Sequence, residues 1–230
     1  MSQHDGPPPA IRAAGLSLRG GHGWVYRDVT LDVPAGGLTT IVGAGGSGRT
    51  GLLLTLGGRM RPAAGTLAVH GHTRPERIRR LAALGLVGGV NDLDDALSVR
   101  DHLHERLRPG ISRLRRRRSP AGPGPAATAL RQAGLEVTVL PDGDRTLVRH
   151  LGREQRLRLG IALALVDEPR VLLLDDVDAG LAADRRAALA ATLRALTGDG
   201  RTVVATAAAP LAGPRAGTTV ELRRPAEEES

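Results

Sequence analysis

The stretch that most restricts how this chain can fold is "GAGGSGRT" at residues 43–50. It follows the short β-branched run "LTTIV" (38–42) and leads into the helically spaced "TGLLLTLGGRM" (50–60). The stretch matches the phosphate-binding pattern G-x-x-x-x-G-K-[ST], except that Arg49 stands at the lysine position. That pattern lies between a buried strand and the start of a helix, as this stretch does. The pattern predicts an α/β fold in which backbone N–H groups of the turn bind an anion.

The composition allows two explanations for Arg49. The chain contains no lysine, so all 32 of its basic side chains other than histidine are arginines. Arg49 therefore reflects either a chain-wide replacement of lysine by arginine or a local loss of function. A guanidinium keeps the positive charge but is wider than an ammonium group, so it would still neutralise phosphate charge with a poorer fit.

A second motif is the apolar run "VLLLDD" (171–176), which ends in two carboxylates. The carboxyl ends of parallel strands lie at one edge of a sheet, so these carboxylates are expected beside the glycine-rich loop. Thr50 and Asp175 would then bind Mg²⁺, Asp175 directly or through water, and Asp176 would be the general base. The alternative is a strand end that carries two solvated aspartates.

Strand and helix patterns alternate along the chain, with an additional helical block from "LSVRDHLHERL" (97–107) to about Val166. Helical spacing is also found at 50–60, 74–85 and 181–198. Strand patterns lie at 11–18, 25–33, 38–42, 63–71, 84–90, 171–176, 201–206 and 217–222. The alternation predicts an α/β sheet domain with an inserted helical lobe.

The predicted organisation is one domain with short extensions. We expect a disordered leader (1–10), a single domain (11–222) and a polar tail (223–230). The lobe would occupy about 95–166 and would contain a flexible arginine-, proline- and glycine-rich insertion at 112–126.

Composition and charge exclude several classes of protein. The chain has no cysteine, which excludes disulfides and thiol chemistry, and no apolar run approaches the ~18 residues of a membrane span. Its net charge of +8 suggests an anionic partner, but only 1% of residues are aromatic, which disfavours base stacking on nucleic acid. The densest basic run, "RLRRRRSP" (113–120), is either a solvated loop or a contact with lipid headgroups or an acidic partner.

Taken together, "GAGGSGRT", "LGREQRLRLGIALALVDEPRVLLLDD" and "DAGLAADRRAAL" resemble the ATP-binding subunits of ABC transporters. The order is that of the family: a phosphate loop, a signature segment, an apolar strand with acidic end, and a short loop before a helix. The resemblance extends over roughly residues 11–222. It implies a P-loop NTPase-type fold, with a mostly parallel sheet core, an antiparallel β edge and the helical lobe.

The resemblance also implies which residues form the site. Asp176 would be catalytic, and Thr50 and Asp175 would bind the metal. Trp24 and Tyr26 are candidates for stacking on adenine, although both could equally be packing residues. The implied residues for binding ATP are Trp24, Tyr26, Gly43, Gly45, Gly46, Ser47, Gly48, Arg49, Thr50, Gly51, Leu151, Gly152 and Gln155.

Several family positions carry different residues here. Gly152, Arg153 and Glu154 replace the Ser-Gly-Gly of the signature segment, and Gly89 stands about where the family has a metal-facing glutamine. Ala182 stands at the aspartate position of the loop after the strand, and Ala207 and Ala208 occupy the region of the switch histidine. The residues for nucleotide binding are thus largely kept and those for hydrolysis are eroded, which predicts slow turnover.

Three functions follow from this pattern. The first is a cassette that binds Mg²⁺ and ATP, lies on the cytoplasmic face of the membrane and energises a separate integral membrane subunit. It would pair head to tail with a second cassette, as a homodimer or a heterodimer. The second is a non-catalytic or regulatory nucleotide-binding subunit, such as the degenerate half of a heterodimer. The third, a nucleic-acid-associated ABC ATPase, is disfavoured because such relatives typically carry two cassettes or long coiled coils.

Overall fold

The computed structural model describes residues 8–21, 23–108, 123–211 and 217–225. Most of the predicted leader (1–10), insertion (112–126) and polar tail (223–230) lies outside these residues. The predictions of disorder or flexibility in those three segments therefore stay predictions.

Eight strands and six α-helices form the described part of the chain. The strands are β1 (Ile11–Gly20), β2 (Gly23–Val33), β3 (Leu38–Val42), β4 (Ala64–Val69), β5 (Ala82–Leu84), β6 (Val171–Leu174), β7 (Thr202–Ala207) and β8 (Thr218–Glu221). The α-helices are α1 (Arg49–Leu56), α2 (Pro75–Leu81), α3 (Val99–Arg106), α4 (Pro125–Gln132), α5 (Arg153–Leu165) and α6 (Ala183–Gly198). Within these described residues, no helix is both long enough and apolar enough to cross a lipid bilayer.

The strands form two sheets. One is antiparallel with the order β2-β1-β4, and the other is parallel with the order β5-β6-β7-β3-β8. In the parallel sheet Val42 lies opposite Ala207 on one side and Glu221 on the other, and Leu174 lies opposite Ala205. This register brings the carboxyl ends of four strands, β6, β7, β3 and β8, to one edge of the sheet.

Strands β3, β5, β6 and β7 of the parallel sheet are almost entirely buried, whereas the edge strand β8 is largely exposed. Cover on both faces explains the apolar sequence of β6. All residues of β6 and β7 are buried. On one face, α1 packs Leu52, Leu53 and Leu56 into a core shared with the antiparallel sheet. Each fully buried leucine contributes about 1.5–3 kcal/mol, so this packing holds the first turn of α1 firmly against the sheet.

The helical lobe lies between β5 and β6 in sequence, as the spacing predicts. It contains α3, α4 and α5, whose buried residues share a core with the other face of the parallel sheet. Helix α3 begins with a capping box in which Ser98 Oγ accepts from the Asp101 N–H and the Asp101 carboxylate accepts from the Ser98 N–H.

Two predicted elements differ from the structure. The helix predicted over 74–85 ends at Leu81, and the strand predicted at 84–90 is Ala82–Leu84 instead. The reason is pairing with β6, because Ala82 to Leu84 lie opposite Val171 to Leu173. The helical pattern predicted up to Val166 has a further break, because short 3₁₀ turns connect α4 to α5.

The turn after β4 makes the stability of the fold sensitive to pH. His70 has a φ of 46°, and its Nε2 atom is buried without a hydrogen-bond partner among the described residues. Burial, helped by the positive charges of Arg170 and His72, lowers the pKa of His70. Because the charged form is disfavoured in the folded state, stability is highest above the unfolded pKa of about 6.5 and falls as the pH drops through the folded pKa.

We therefore expect His70→Asn to lose less stability than the wild-type chain between about pH 7.5 and about pH 5. Asparagine tolerates a positive φ, so the turn should persist. The measurement is the free energy of unfolding in urea at each pH, with His104→Asn on exposed α3 as the matched control. An unchanged pH dependence in His70→Asn would contradict this role.

Candidate functional site

The candidate site lies at the edge of the parallel sheet where β3, β6, β7 and β8 end. The glycine-rich loop follows β3, and the two carboxylates of "VLLLDD" follow β6. Strand β7 lies between them in the sheet, so its last residues face both. The two motifs that were predicted to meet are thus brought together by the strand order.

The loop adopts a conformation that needs glycine. Gly48 has a φ of 89° and caps the N-terminus of α1. A Cβ added there would collide with the carbonyl oxygen of Val25 in β2, so the loop lies directly on the antiparallel sheet. The hydroxyl of Ser47 is buried and has no partner among the described residues. The first backbone N–H groups of α1 lack partners within the helix, which makes this end attractive to an anion.

Arg49 is directed into the protein and links three segments. Its Nη1 donates to the carbonyl oxygens of Gly43 and Ala207, at 2.8 and 2.6 Å. Its Nη2 lies 3.6 Å from Oδ1 of Asp176. The planar fork of the guanidinium presents separate donors to both strand ends and to the carboxylate at once. Arginine is thus well accommodated at this position.

Asp175 is held by two hydroxyl groups. Thr50 Oγ1 donates to Oδ2 of Asp175 at 2.7 Å, and Thr206 Oγ1 donates to Oδ1 at 2.6 Å. Thr206 belongs to β7 and was not among the predicted site residues. Its position near the end of a buried strand is the feature of the sequence that could have identified it. The bond between Thr50 and Asp175 joins the first turn of α1 to the end of β6. It brings a hydroxyl oxygen and a carboxylate oxygen next to each other.

Asp176 has a backbone conformation that is uncommon for a residue with a side chain. Its φ is 46°, and its N–H donates to Thr206 Oγ1 at 2.7 Å. The side chain is 49% exposed, so one carboxylate is open to the cleft while Arg49 lies beside it. Such strained residues persist where the surrounding structure fixes them, and they cluster at functional sites.

A cleft of about 670 Å³ opens between this edge and the helical lobe. Its volume lies within the usual range for small-molecule sites. Among the polar residues on the lobe side of the cleft, Arg153 was named from the sequence, whereas Asp92, Asp95 and Arg156 were not. The residues that line the cleft are Arg49, Thr50, Leu86, Gly88, Asp92, Leu93, Asp95, Arg153, Arg156, Leu157, Asp175 and Asp176.

Asp178 connects the segment after β6 to the segment after β7. Its carboxylate accepts from the N–H of Ala208 at 3.0 and 3.1 Å and from the N–H of Ala209 at 3.3 Å. The residue is 8% exposed, so these bonds are largely shielded from water. Ala207 and Ala208 replace the expected histidine, and Asp178 fixes their backbone instead. The only sequence signal was a third acidic residue close after "VLLLDD".

The residues of the signature segment differ in exposure. Leu151 is buried in the lobe core, and Oε1 of Gln155 accepts from the N–H of Gly152 at 2.9 Å. Gly152 is exposed at the N-terminus of α5. The carboxylate of Glu154 pairs with Arg158 at 2.8 Å and with Arg185 at 3.2 Å, and these pairs offset its negative charge. Arg153 lines the cleft, and its Nε donates to the Ala179 carbonyl at 3.1 Å.

The two aromatic candidates differ in accessibility. Tyr26 is fully buried, and its hydroxyl donates to Thr55 Oγ1 at 2.7 Å. A ring without an exposed face cannot stack on a base, so Tyr26 is a packing residue and the stacking prediction for it is wrong. Trp24 is partly exposed, with the guanidinium groups of Arg19 and Arg27 at 5.4 and 5.2 Å from its ring centre. A base that stacked on Trp24 would compete with these cation–π contacts.

Of the predicted site residues, the loop 43–51, Asp175 and Asp176 lie together at the sheet edge. The substituted family positions are found on separate segments around them. Gly89 has a φ of 73° and donates its N–H to Asp92 in the loop before the lobe, and Ala182 precedes α6.

Comparison with known proteins relates the chain to one family. A family profile described as ABC transporter matches residues 26–179. The daunorubicin resistance ATP-binding protein DrrA3 of Streptomyces coeruleorubidus is 34% identical over 199 residues, with 86% of this chain and 60% of that protein covered. The phosphonates import ATP-binding protein PhnC 2 of Rhodopseudomonas palustris is 33% identical over 178 residues, with 72% and 58% covered. The chain thus spans less than two thirds of the length of either relative.

Solved structures show the same fold. The ATP-binding subunit of an ABC transporter superposes with a TM-score of 0.70 at 20% identity, covering 94% of this chain and 88% of that one. A dimeric ATP-binding cassette bound to ADP and phosphate gives a TM-score of 0.71 at 20% identity, covering 95% and 98%. The predicted fold class, with its mostly parallel core, antiparallel sheet and inserted lobe, is confirmed.

We expect Asp178→Ala to destabilise the fold by about 1–3 kcal/mol, because the backbone N–H groups of Ala208 and Ala209 would lose their shielded acceptor. Urea unfolding measures the change. Asp32→Ala is the matched control, since Asp32 is largely exposed and its pairing with Arg12 at 3.6 Å should contribute under about 1 kcal/mol. Equal effects of the two substitutions would show that Asp178 does not hold this segment.

Proposed function

Because the chain belongs to the ABC transporter family, we propose that it is a cassette that binds ATP with Mg²⁺, hydrolyses it slowly and energises a membrane-spanning partner. The observation that carries the proposal is the contact between Thr50 and Asp175 at 2.7 Å, with Arg49 and Asp176 beside it. It unites a phosphate loop and a carboxylate-bearing strand end, which together form the working parts of such ATPases.

ATP would bind with its phosphates on the loop 43–50. The free N–H groups at the start of α1 and the helix dipole favour negative charge at this end. Arg49 adds a full positive charge next to the loop, on a side chain that is 16% exposed. The proposed contacts of the adenine base involve Trp24 and not Tyr26, because Tyr26 is buried.

The residues present fit a magnesium ion. Thr50 offers a hydroxyl oxygen and Asp175 a carboxylate oxygen, the donor types that Mg²⁺ prefers, and they already lie 2.7 Å apart. Asp175 would act directly or through water, while Thr206 keeps its carboxylate in place from the other side. When bound, the ion would supply charge neutralisation for the phosphate groups.

Asp176 would act as the general base for the attacking water. Its carboxylate is half exposed to the cleft, and the Thr206 hydroxyl fixes its backbone. The guanidinium of Arg49 lies beside the carboxylate, with Nη2 at 3.6 Å from Oδ1 of Asp176. The site has no histidine at 207 or 208 to assist in proton transfer, and the loss of one such group commonly slows catalysis by about 10²–10⁴. Hydrolysis is therefore expected to be slow.

The proposed partners are an integral membrane subunit and a second cassette. The relatives named above are ATP-binding proteins of drug resistance and phosphonate import, and one structural neighbour is a dimer of cassettes. Gly152 at the exposed start of α5 would face the nucleotide of the second cassette in a head-to-tail pair. The chain would then lie on the cytoplasmic face of the membrane.

We expect Asp176→Asn to reduce the single-turnover rate of ATP hydrolysis by about 10²–10⁴ while it leaves the affinity for ATP equal or slightly higher. Affinity should not fall because the substitution removes a negative charge near the phosphates. The assay uses labelled Mg-ATP with excess protein and scores bound and hydrolysed nucleotide separately.

The control is Asp184→Asn, whose side chain is 76% exposed at the start of α6. It should leave both quantities unchanged. An unchanged rate in Asp176→Asn would refute the role of this residue. Binding without hydrolysis in the wild-type chain would favour the non-catalytic subunit instead.

Arg49→Lys tests whether the arginine limits the reaction. The ammonium group is compact and can approach the phosphates, whereas the guanidinium is engaged by the carbonyl groups of Gly43 and Ala207. We expect a rate increase of roughly tenfold, the factor that corresponds to about 1.4 kcal/mol. The same single-turnover assay measures it, with Arg49→Ala as the variant that should bind ATP more weakly than both. A slower reaction in Arg49→Lys would mean that the fork of the guanidinium is required.

A further inference from the structure

Arg224 lies against the phosphate loop at Gly46. It follows β8, which pairs in parallel with β3 so that Glu221 is opposite Val42. The N–H of Leu222 donates to the Val42 carbonyl at 2.7 Å, and Leu222 itself is 4% exposed. This anchored residue fixes the path of the chain, and Arg224 comes two residues later.

The guanidinium of Arg224 lies next to Gly46, a loop residue that has no side chain. A Cβ added at Gly46 would lie 2.8 Å from its Nη2, 3.6 Å from its Cζ and 3.7 Å from its Nε. Gly46 has a φ of 75°, so the loop turns here and leaves its backbone uncovered. The side chain of Arg224 is exposed and makes no hydrogen bond or ion pair with the residues that the structure describes.

The charge of Arg49 is engaged in a different way. Its Nη1 donates to two carbonyl oxygens, and its Nη2 lies beside the Asp176 carboxylate. Arg224 has all its donors available at the outer surface of the same loop. A guanidinium presents five N–H donors in a planar fork, a geometry that matches phosphate oxygens in pairs.

We propose that Arg224 is a second cationic contact for the phosphate groups of the bound nucleoside triphosphate. The inference rests on the proposed nucleotide site and adds to it a residue outside all of the motifs in the sequence. Arg49 then binds the loop to the end of β7, and Arg224 supplies positive charge at Gly46. The phosphate chain, and not the base or the sugar, is what Arg224 recognises.

The test is the binding of labelled Mg-ATP to the full chain by equilibrium dialysis at fixed ionic strength. Arg224→Ala should weaken binding about tenfold, and Arg224→Lys should weaken it less, because one charge-assisted contact is lost or reduced. The matched control is Arg223→Ala, which removes the same charge from the exposed neighbouring residue and should change affinity less than about twofold.

A second readout isolates the phosphate contact. Inorganic tripolyphosphate should displace labelled ATP from the wild-type chain, and its inhibition constant should rise about tenfold in Arg224→Ala. Thermal unfolding of each variant checks that the fold is retained, which the exposure of Arg224 leads us to expect.

The outcomes separate this inference from the proposed function. No binding of ATP by the wild-type chain would overturn both. Normal binding by the wild-type chain, with equal effects of Arg224→Ala and Arg223→Ala, would overturn only the inference. Tighter binding in Arg224→Ala would also overturn it, since the arginine would then obstruct the loop.

Discussion

The parallel register of β6, β7, β3 and β8 is the constraint on which the candidate site depends. Because Val42 lies between Ala207 and Glu221 in adjacent strands, every segment that leaves these strands begins at the same edge of the sheet. The phosphate loop, the two aspartates, the end of β7 and the segment that carries Arg224 meet there for that reason alone. A shift of any one strand by a single residue would separate Thr50 from Asp175 or reverse the faces of the strand.

Polar contacts of a few side chains then fix the edge that the register creates. Thr206 holds both the Asp175 carboxylate and the backbone of Asp176, so one hydroxyl of β7 positions the two acidic residues. Asp178 binds the backbone after β7, and Arg49 binds the carbonyl of Ala207. The segment at 207–209 is therefore held by its backbone, from two sides, although it has lost the side chain that the family uses there.

Features that depend on a short, contiguous stretch of sequence could be predicted. The glycine-rich turn directly joins a strand to a helix, and "VLLLDD" is an apolar run that ends in two acidic residues. These patterns predicted the family, the fold class and the proximity of the two motifs. Pairing between distant segments decided the rest. Strand β5 exists because it pairs with β6, Tyr26 is buried because the loop and α1 cover it, and Asp178 and Arg224 gain their positions from strands adjacent in space.

Two of the substitutions at family positions, at Glu154 and Arg49, concern the charge of the site. Glu154 replaces a small residue in the signature segment, and Arg158 and Arg185 both pair with it, at 2.8 and 3.2 Å, which offsets its negative charge. Arg49 and Arg224 both place positive charge next to the phosphate loop. The arrangement preserves the attraction of the edge for phosphate, which is the property that a slow ATPase and a nucleotide-holding subunit would both need.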